Sequence, residues 1–139
     1  MIVGLTVAAV LPPTVTAISY VTAIGRTSTQ AQAYRWLSQH VPDGTKVVVE
    51  RYEVRLPTPR FKVDYVTRLV DRPYEEYRNG GVAYLVASSG VFGPVIAESS
   101  VFRELYDQHM IMFTLAKEVV RFSPTPQIPG PEIIVFQVR

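Results

Sequence analysis

Residues 82–90 read VAYLVASSG, a short apolar run closed by two serines and a glycine. Such a run, bounded by turn residues, predicts a strand over Val82–Ala87 buried on both faces, with Ser88-Ser89-Gly90 at its carboxyl end. Upstream, residues 46–54 read KVVVERYEV. The β-branched run Val47-Val48-Val49, followed by alternation through Tyr52 and Val54, predicts a second strand with both faces covered. Between the two, 61–70 (FKVDYVTRLV) alternates Phe61, Val63, Tyr65, Thr67 and Leu69 against Lys62, Asp64, Val66 and Arg68. Its wetter face predicts a strand at a sheet edge. Leu56-Pro57-Thr58-Pro59 reads as a loop, because closely spaced prolines cannot sit in a central ladder.

Helices alternate with these strands. Thr29 stands where a cap is expected, Gln32 occupies the capping-box position, and Ala33, Trp36, Leu37 and Val41 share one helical face until Pro42-Asp43-Gly44 ends the helix. A short helix is expected over Tyr74–Arg78, with Asp71 as cap, Pro73 in the first turn and Asn79-Gly80-Gly81 closing it. Residues 91–99, with Gly93-Pro94 inside, read as a loop. A longer helix begins near Ser100, with Phe102, Leu105, Tyr106, His109, Met110 and Phe113 as its buried stripe. Glu118–Phe122 and Glu132–Arg139 are expected as strands, joined by the proline-rich connector Ser123–Pro131. The order implies an α/β domain: a small layered sheet, parallel in its centre, closed by a C-terminal antiparallel strand pair, with helices packed on it.

The chain has 139 residues, enough for one domain with a packed core. It has no cysteine and two histidines, which removes thiol nucleophiles, disulfides and Cys-ligated zinc and leaves little for a multi-histidine metal site. No cofactor is expected. The net charge of +2 is mild and the basic residues are scattered, so no nucleic-acid partner is expected.

Charge is distributed unevenly. Residues 1–25 contain none, and every Lys, Arg, Asp and Glu falls in 26–139. A run of that length suffices to cross a bilayer. Pro12-Pro13 and the threonines and serine around them argue against one unbroken helix, and the lack of a basic stretch before the apolar run argues against a cleavable signal peptide. The segment reads as the tail of an apolar helix, Ile2–Leu11, followed by a juxtamembrane or surface-lying stretch, Thr14–Ile24. Packing on the domain as an ordinary buried segment is the alternative. The expected organisation is therefore an apolar, membrane-associated segment over 1–25 and an α/β domain over 26–139.

In an open α/β sheet, ligands sit beyond the carboxyl ends of the parallel strands, where strand order reverses. Two such ends are foreseen. One carries Glu50, Arg51 and Tyr52, the other Ser88, Ser89 and Gly90. Glu50, Tyr52, Ser88 and Ser89 are the candidate binding residues for a polar ligand such as a sugar or phosphate head group. Alternatively, the two serines satisfy loop backbone groups while Glu50 pairs with an arginine. No catalytic residue is identified: GxxxxGK[ST], GxGxxG after a strand and GxSxG are all absent, and neither His40 nor His109 has a reason to meet a nucleophilic serine. Glu75-Glu76 are neighbours on a helix and diverge by about 100°, so they read as a solvated face. Arg51, Arg55 and Arg60, interleaved with Tyr52 and Phe61, read as solvated charges or as contacts to anionic lipid.

Several phrases, taken in order, resemble a known family. Thr29-x-x-x-Ala33-x-x-Trp36-Leu37, His40-Val41-Pro42-x-Gly44-x-x-Val47 and Glu50-x-Tyr52 are similar to the start of the extracytoplasmic C-terminal domain of bacterial polytopic glycosyltransferases. These are the GT-C enzymes of glycosyltransferase family 39, related to protein mannosyltransferases and aminoarabinose transferases. Gly81-Val82-x-Tyr84-Leu85-Val86-x-Ser88-Ser89, Phe102-Arg103-x-Leu105, Phe122-x-Pro124 and Gly130-Pro131-x-Ile133 resemble its remainder, so the likeness covers roughly 27–139. Gln30 stands where such domains often have Arg. The family's catalytic acid lies in a multi-helix membrane domain that this sequence does not contain. The resemblance therefore implies a non-catalytic accessory domain on the extracytoplasmic side, covering, gating or helping to bind acceptor for a transferase. Implied partners are a membrane or membrane protein and a lipid-linked sugar. A small membrane-associated subunit acting as an interaction module is the alternative, and a soluble sugar- or nucleotide-binding domain rests on fold analogy alone.

Overall fold

The computed structural model describes residues 28–51 and 53–139. The expectations for 1–25 lie outside the described residues. In chain order the elements are α1 (Thr29–His40), β1 (Lys46–Glu50), β2 (Lys62–Val66), a 3-10 turn (Leu69–Asp71), α2 (Tyr74–Asn79), β3 (Tyr84–Ser88), α3 (Ser89–Ala97), α4 (Arg103–Leu115), β4 (Lys117–Phe122) and β5 (Ile133–Gln137).

The five strands form one mixed sheet in the order β2-β1-β3-β5-β4. β1 runs parallel to both β2 and β3, whereas β5 is antiparallel to β3 and to β4. The C-terminal antiparallel pair is as expected, and β2 lies at an edge. The parallel part occupies one side of the sheet instead of its centre, because β5 inserts between β3 and β4.

The valine run of β1 serves both faces of the sheet. Val47 and Val49 pack with Ala33, Leu37, Val41 and Val135 under α1. Val48 points the other way, to Leu85, Tyr77, Phe92 and Met112 beneath α2, α3 and α4. Burying one such side chain contributes about 1.5–3 kcal/mol, so the two-faced core is the main support of the sheet. Among the described residues no helix is long and apolar enough to cross a membrane.

Several elements differ from the sequence expectations. Ser28, not Thr29, caps α1: its backbone is extended and its Oγ accepts the Ala31 amide at 3.1 Å. Thr29 is instead buried, and its Oγ1 donates to the Pro131 carbonyl at 2.6 Å. Either residue could cap locally; contact with the 129–131 loop decides. β1 stops at Glu50 because Arg51 takes a left-handed backbone (φ 47°). β2 stops at Val66, and the chain turns at Leu69–Asp71. Asp71 lies in that turn and accepts from Arg68, while Pro73 holds the cap position of α2 without a side-chain bond.

The largest difference is α3, a helix over residues read as a loop, with Pro94 inside it. An internal proline costs about 3 kcal/mol. Val91, Phe92 and Val95 are all buried by this helix, each contributing about 1.5–3 kcal/mol, and burial wins. The stripe of α4 holds at His109 and, half-buried, at Leu105, Tyr106, Met110 and Phe113, but differs at its start and at Met112. His109 and Met112 are its buried residues, while Phe102 precedes the helix and is 39% exposed.

Candidate functional site

After β1 the chain adds β2 on one side, then crosses to place β3 on the other. Strand order therefore reverses between β1 and β3, the position at which open α/β sheets bind ligands. Glu50 and Ser88 end these two strands, and the structure brings them together. Glu50 is 1% exposed. Its Oε2 accepts the Ser88 amide at 2.9 Å and its Oε1 accepts the Leu69 amide at 2.9 Å. Burial pushes its carboxyl up to about 7, although both amides and the nearby Arg51 charge pull the other way.

The same polar cluster grips Leu69 from its other side. The Tyr77 hydroxyl donates to the Leu69 carbonyl at 2.8 Å, so one residue of the 3-10 turn is held at both backbone groups by side chains from β1 and α2. Burial raises the Tyr77 hydroxyl above its usual range, keeping it a neutral donor. His109, on α4, is 1% exposed; its Nδ1 lies 2.7 Å from the Leu105 carbonyl and its Nε2 has no partner among the described residues. Burial lowers its pKa, which keeps the imidazole neutral.

The serines are equally engaged. Ser88 Oγ accepts the Gly90 amide at 3.2 Å and caps α3. Ser89 forms a reciprocal pair with Glu132, donating its amide to the Glu132 carbonyl and accepting the Glu132 amide on Oγ, both at 2.9 Å. The Glu132 carboxylate in turn accepts from Arg121 at 2.7 Å and Ser123 at 2.9 Å. The Arg121 guanidinium also holds the Glu118 carboxyl below its ordinary value. Tyr52 lies outside the described residues.

Glu50, Ser88 and Ser89 thus meet at the foreseen place, and each bonds to backbone. Glu50 binds two amides in place of an arginine. The burial of His109 is as the period of α4 predicts; what sequence reading missed is the Tyr77 grip on Leu69 and a link from Gln30 Nε2 to Glu53 Oε2 at 3.3 Å that ties α1 to the loop after β1. Nothing local signalled these two. His40 is exposed and stacks on Trp36 with ring centroids 4.7 Å apart. It belongs to the helix on the opposite face of the sheet from α4, so the two histidines form no joint site.

Elsewhere, a groove of about 500 Å³ runs between the 3-10 turn with α2 and the outer side of α4. Asp71, Arg72 and Tyr74 line one wall, Gln108, Ile111 and Leu115 the other. Among the described residues no group of three or more His, Asp or Glu could hold a metal ion. The chain matches no family model, no curated protein and no solved structure.

Proposed function

We propose that this chain is a non-catalytic extracytoplasmic accessory domain, resembling that of a polyprenyl-phosphate-sugar-dependent membrane glycosyltransferase. The observation that carries the reading is the use made of the polar groups at the reversal of strand order. Glu50, Ser88 and Ser89 are each spent on backbone hydrogen bonds, which suits a domain that holds a shape beside an enzyme and leaves bond-making to it. The ordered phrases of the resemblance fall on α1 and the turn after it, β1, β3, the start of α4, the end of β4 and the 130–133 segment. A membrane protein and a lipid-linked sugar are the partners the reading implies.

Incubating the full chain with a polyprenyl-phosphate sugar and an acceptor tests the non-catalytic part. No transfer by the chain alone is expected; steady turnover would overturn the reading. Protease added outside intact cells tests the side: cleavage at the C-terminal end is expected, and protection until lysis would contradict it.

A second reading, a small membrane-associated subunit serving as an interaction module, is favoured by one feature. Ile111 and Leu115 stand 59% and 44% exposed, one turn apart on α4 beside the groove. Isolated apolar side chains are ordinary at a surface, but a pair bordering a groove suits a partner. Further apolar spans of about 20 residues encoded upstream of Met1 would sink this reading in favour of the first.

A further inference from the structure

We propose that the end of the domain formed by Arg51, Glu53–Arg55 and the start of α1 lies on an anionic bilayer surface, with Arg51 and Arg55 as its headgroup contacts. The proposal rests on the membrane-side reading above and adds to it an orientation and a lipid class.

Chain connectivity fixes which end of the domain the charge-free stretch joins. The charge-free stretch ends at Gly25 and α1 is capped at Ser28. Three residues reach at most about 10 Å even when fully extended. The start of α1 therefore stays within that distance of Gly25, where the charge-free stretch ends. Glu53 is fastened to the same place, since its Oε2 accepts from Gln30 Nε2 in the first turn of α1.

The loop is built to present its arginines. Val54 and Leu56 are 1% and 5% exposed and pin the loop under α1, leaving Arg55 between them exposed. The left-handed turn at Arg51 breaks the strand and leaves that side chain exposed as well. Glu53, the acid between them, is turned onto Gln30. Among the described residues neither Arg51 nor Arg55 has an ion pair or a side-chain hydrogen bond. By contrast Arg60, Arg68, Arg72 and Arg121 are all held by carboxylates. Two exposed guanidiniums without an ion pair among the described residues, close to where the charge-free stretch joins the domain, match a surface that offers phosphate above hydrocarbon. Each arginine near an anionic leaflet strengthens binding about fivefold.

Flotation of the full chain with phosphatidylcholine vesicles, and with vesicles containing phosphatidylglycerol, tests the proposal. The expected result is tighter binding to the anionic vesicles, weakened by salt, and lowered about 30-fold in R51Q/R55Q. R78Q/R103Q removes the same charge from exposed sites elsewhere and is expected to bind as the unaltered chain does. Equal binding by R51Q/R55Q and the unaltered chain, or an equal loss in R78Q/R103Q, overturns the assigned face while leaving membrane association standing. Failure of the unaltered chain to float with either vesicle overturns the membrane reading itself, and the assigned face with it.

Discussion

The Glu50 carboxylate accepts the Ser88 backbone amide at 2.9 Å, joining the carboxyl ends of two neighbouring parallel strands where their order reverses. Its second oxygen takes the Leu69 amide, so one buried side chain fastens three segments that are distant in sequence. A carboxylate here is costly to bury and is retained through the two amides that would otherwise be orphaned.

Substitution at Glu50 is therefore expected to act on stability. E50Q keeps one acceptor and turns an NH2 group towards the other amide, costing about 1–3 kcal/mol. E50A orphans both amides and costs more. Urea unfolding near pH 6 checks the order; equal stability of all three chains would refute the fastening role.

The pH dependence has two opposed parts. Glu50 is raised from 4.5 to about 7, so its contribution is complete below 4.5 and is lost as the pH rises through about 7. His109 is lowered from 6.5, so its contribution is complete above 6.5 and is lost as the pH falls through its lowered value. Urea midpoints measured from about pH 5 to about pH 8 should show the deficit of E50Q shrinking as the pH rises. H109F should remove the acid-side loss.

Gly130 and Gly44 both have positive φ, 125° and 81°, but differ in surroundings. A Cβ on Gly130 would lie 2.6 Å from Gln30 Oε1 and closer still to Thr29 Oγ1, whereas one on Gly44 meets nothing within 4 Å. G44A is expected to cost about 1 kcal/mol from backbone strain alone. G130A must also displace the Thr29 and Gln30 side chains, and should cost clearly more. Thermal unfolding of the two variants side by side decides the order.

Tyr77→Phe removes the hydroxyl that holds the Leu69 carbonyl and should cost about 1 kcal/mol. Hydrogen exchange should quicken first at amides 69–72, the turn that loses its anchor. Uniform loss across the chain would mean that Tyr77 acts only as core volume.

The strands were legible because their signals are local and redundant. Val47-Val48-Val49 and Val82–Ala87 lack the polar alternation of a half-exposed strand, and both faces of the sheet cover them. The meeting of Glu50 with Ser88 was legible for a topological reason: the carboxyl ends of parallel neighbours lie side by side. Pro94 misled because its local cost is real, and only the burial of Val91, Phe92 and Val95 against the sheet overrides it. The choice of Ser28 over Thr29 as cap depends on carbonyls about a hundred residues away, and the Tyr77 grip on Leu69 depends on how α2 docks. Neither leaves a trace in local sequence.

The proposed function places the domain at the outer face of a membrane beside an enzyme of the transferase type. Photocrosslinking from position 111, introduced as Ile111→p-benzoylphenylalanine in the full chain and activated in intact cells that make it, tests this most directly. A crosslink to a multi-span membrane glycosyltransferase that dissolves only in detergent is expected. Crosslinks confined to soluble intracellular proteins would contradict it.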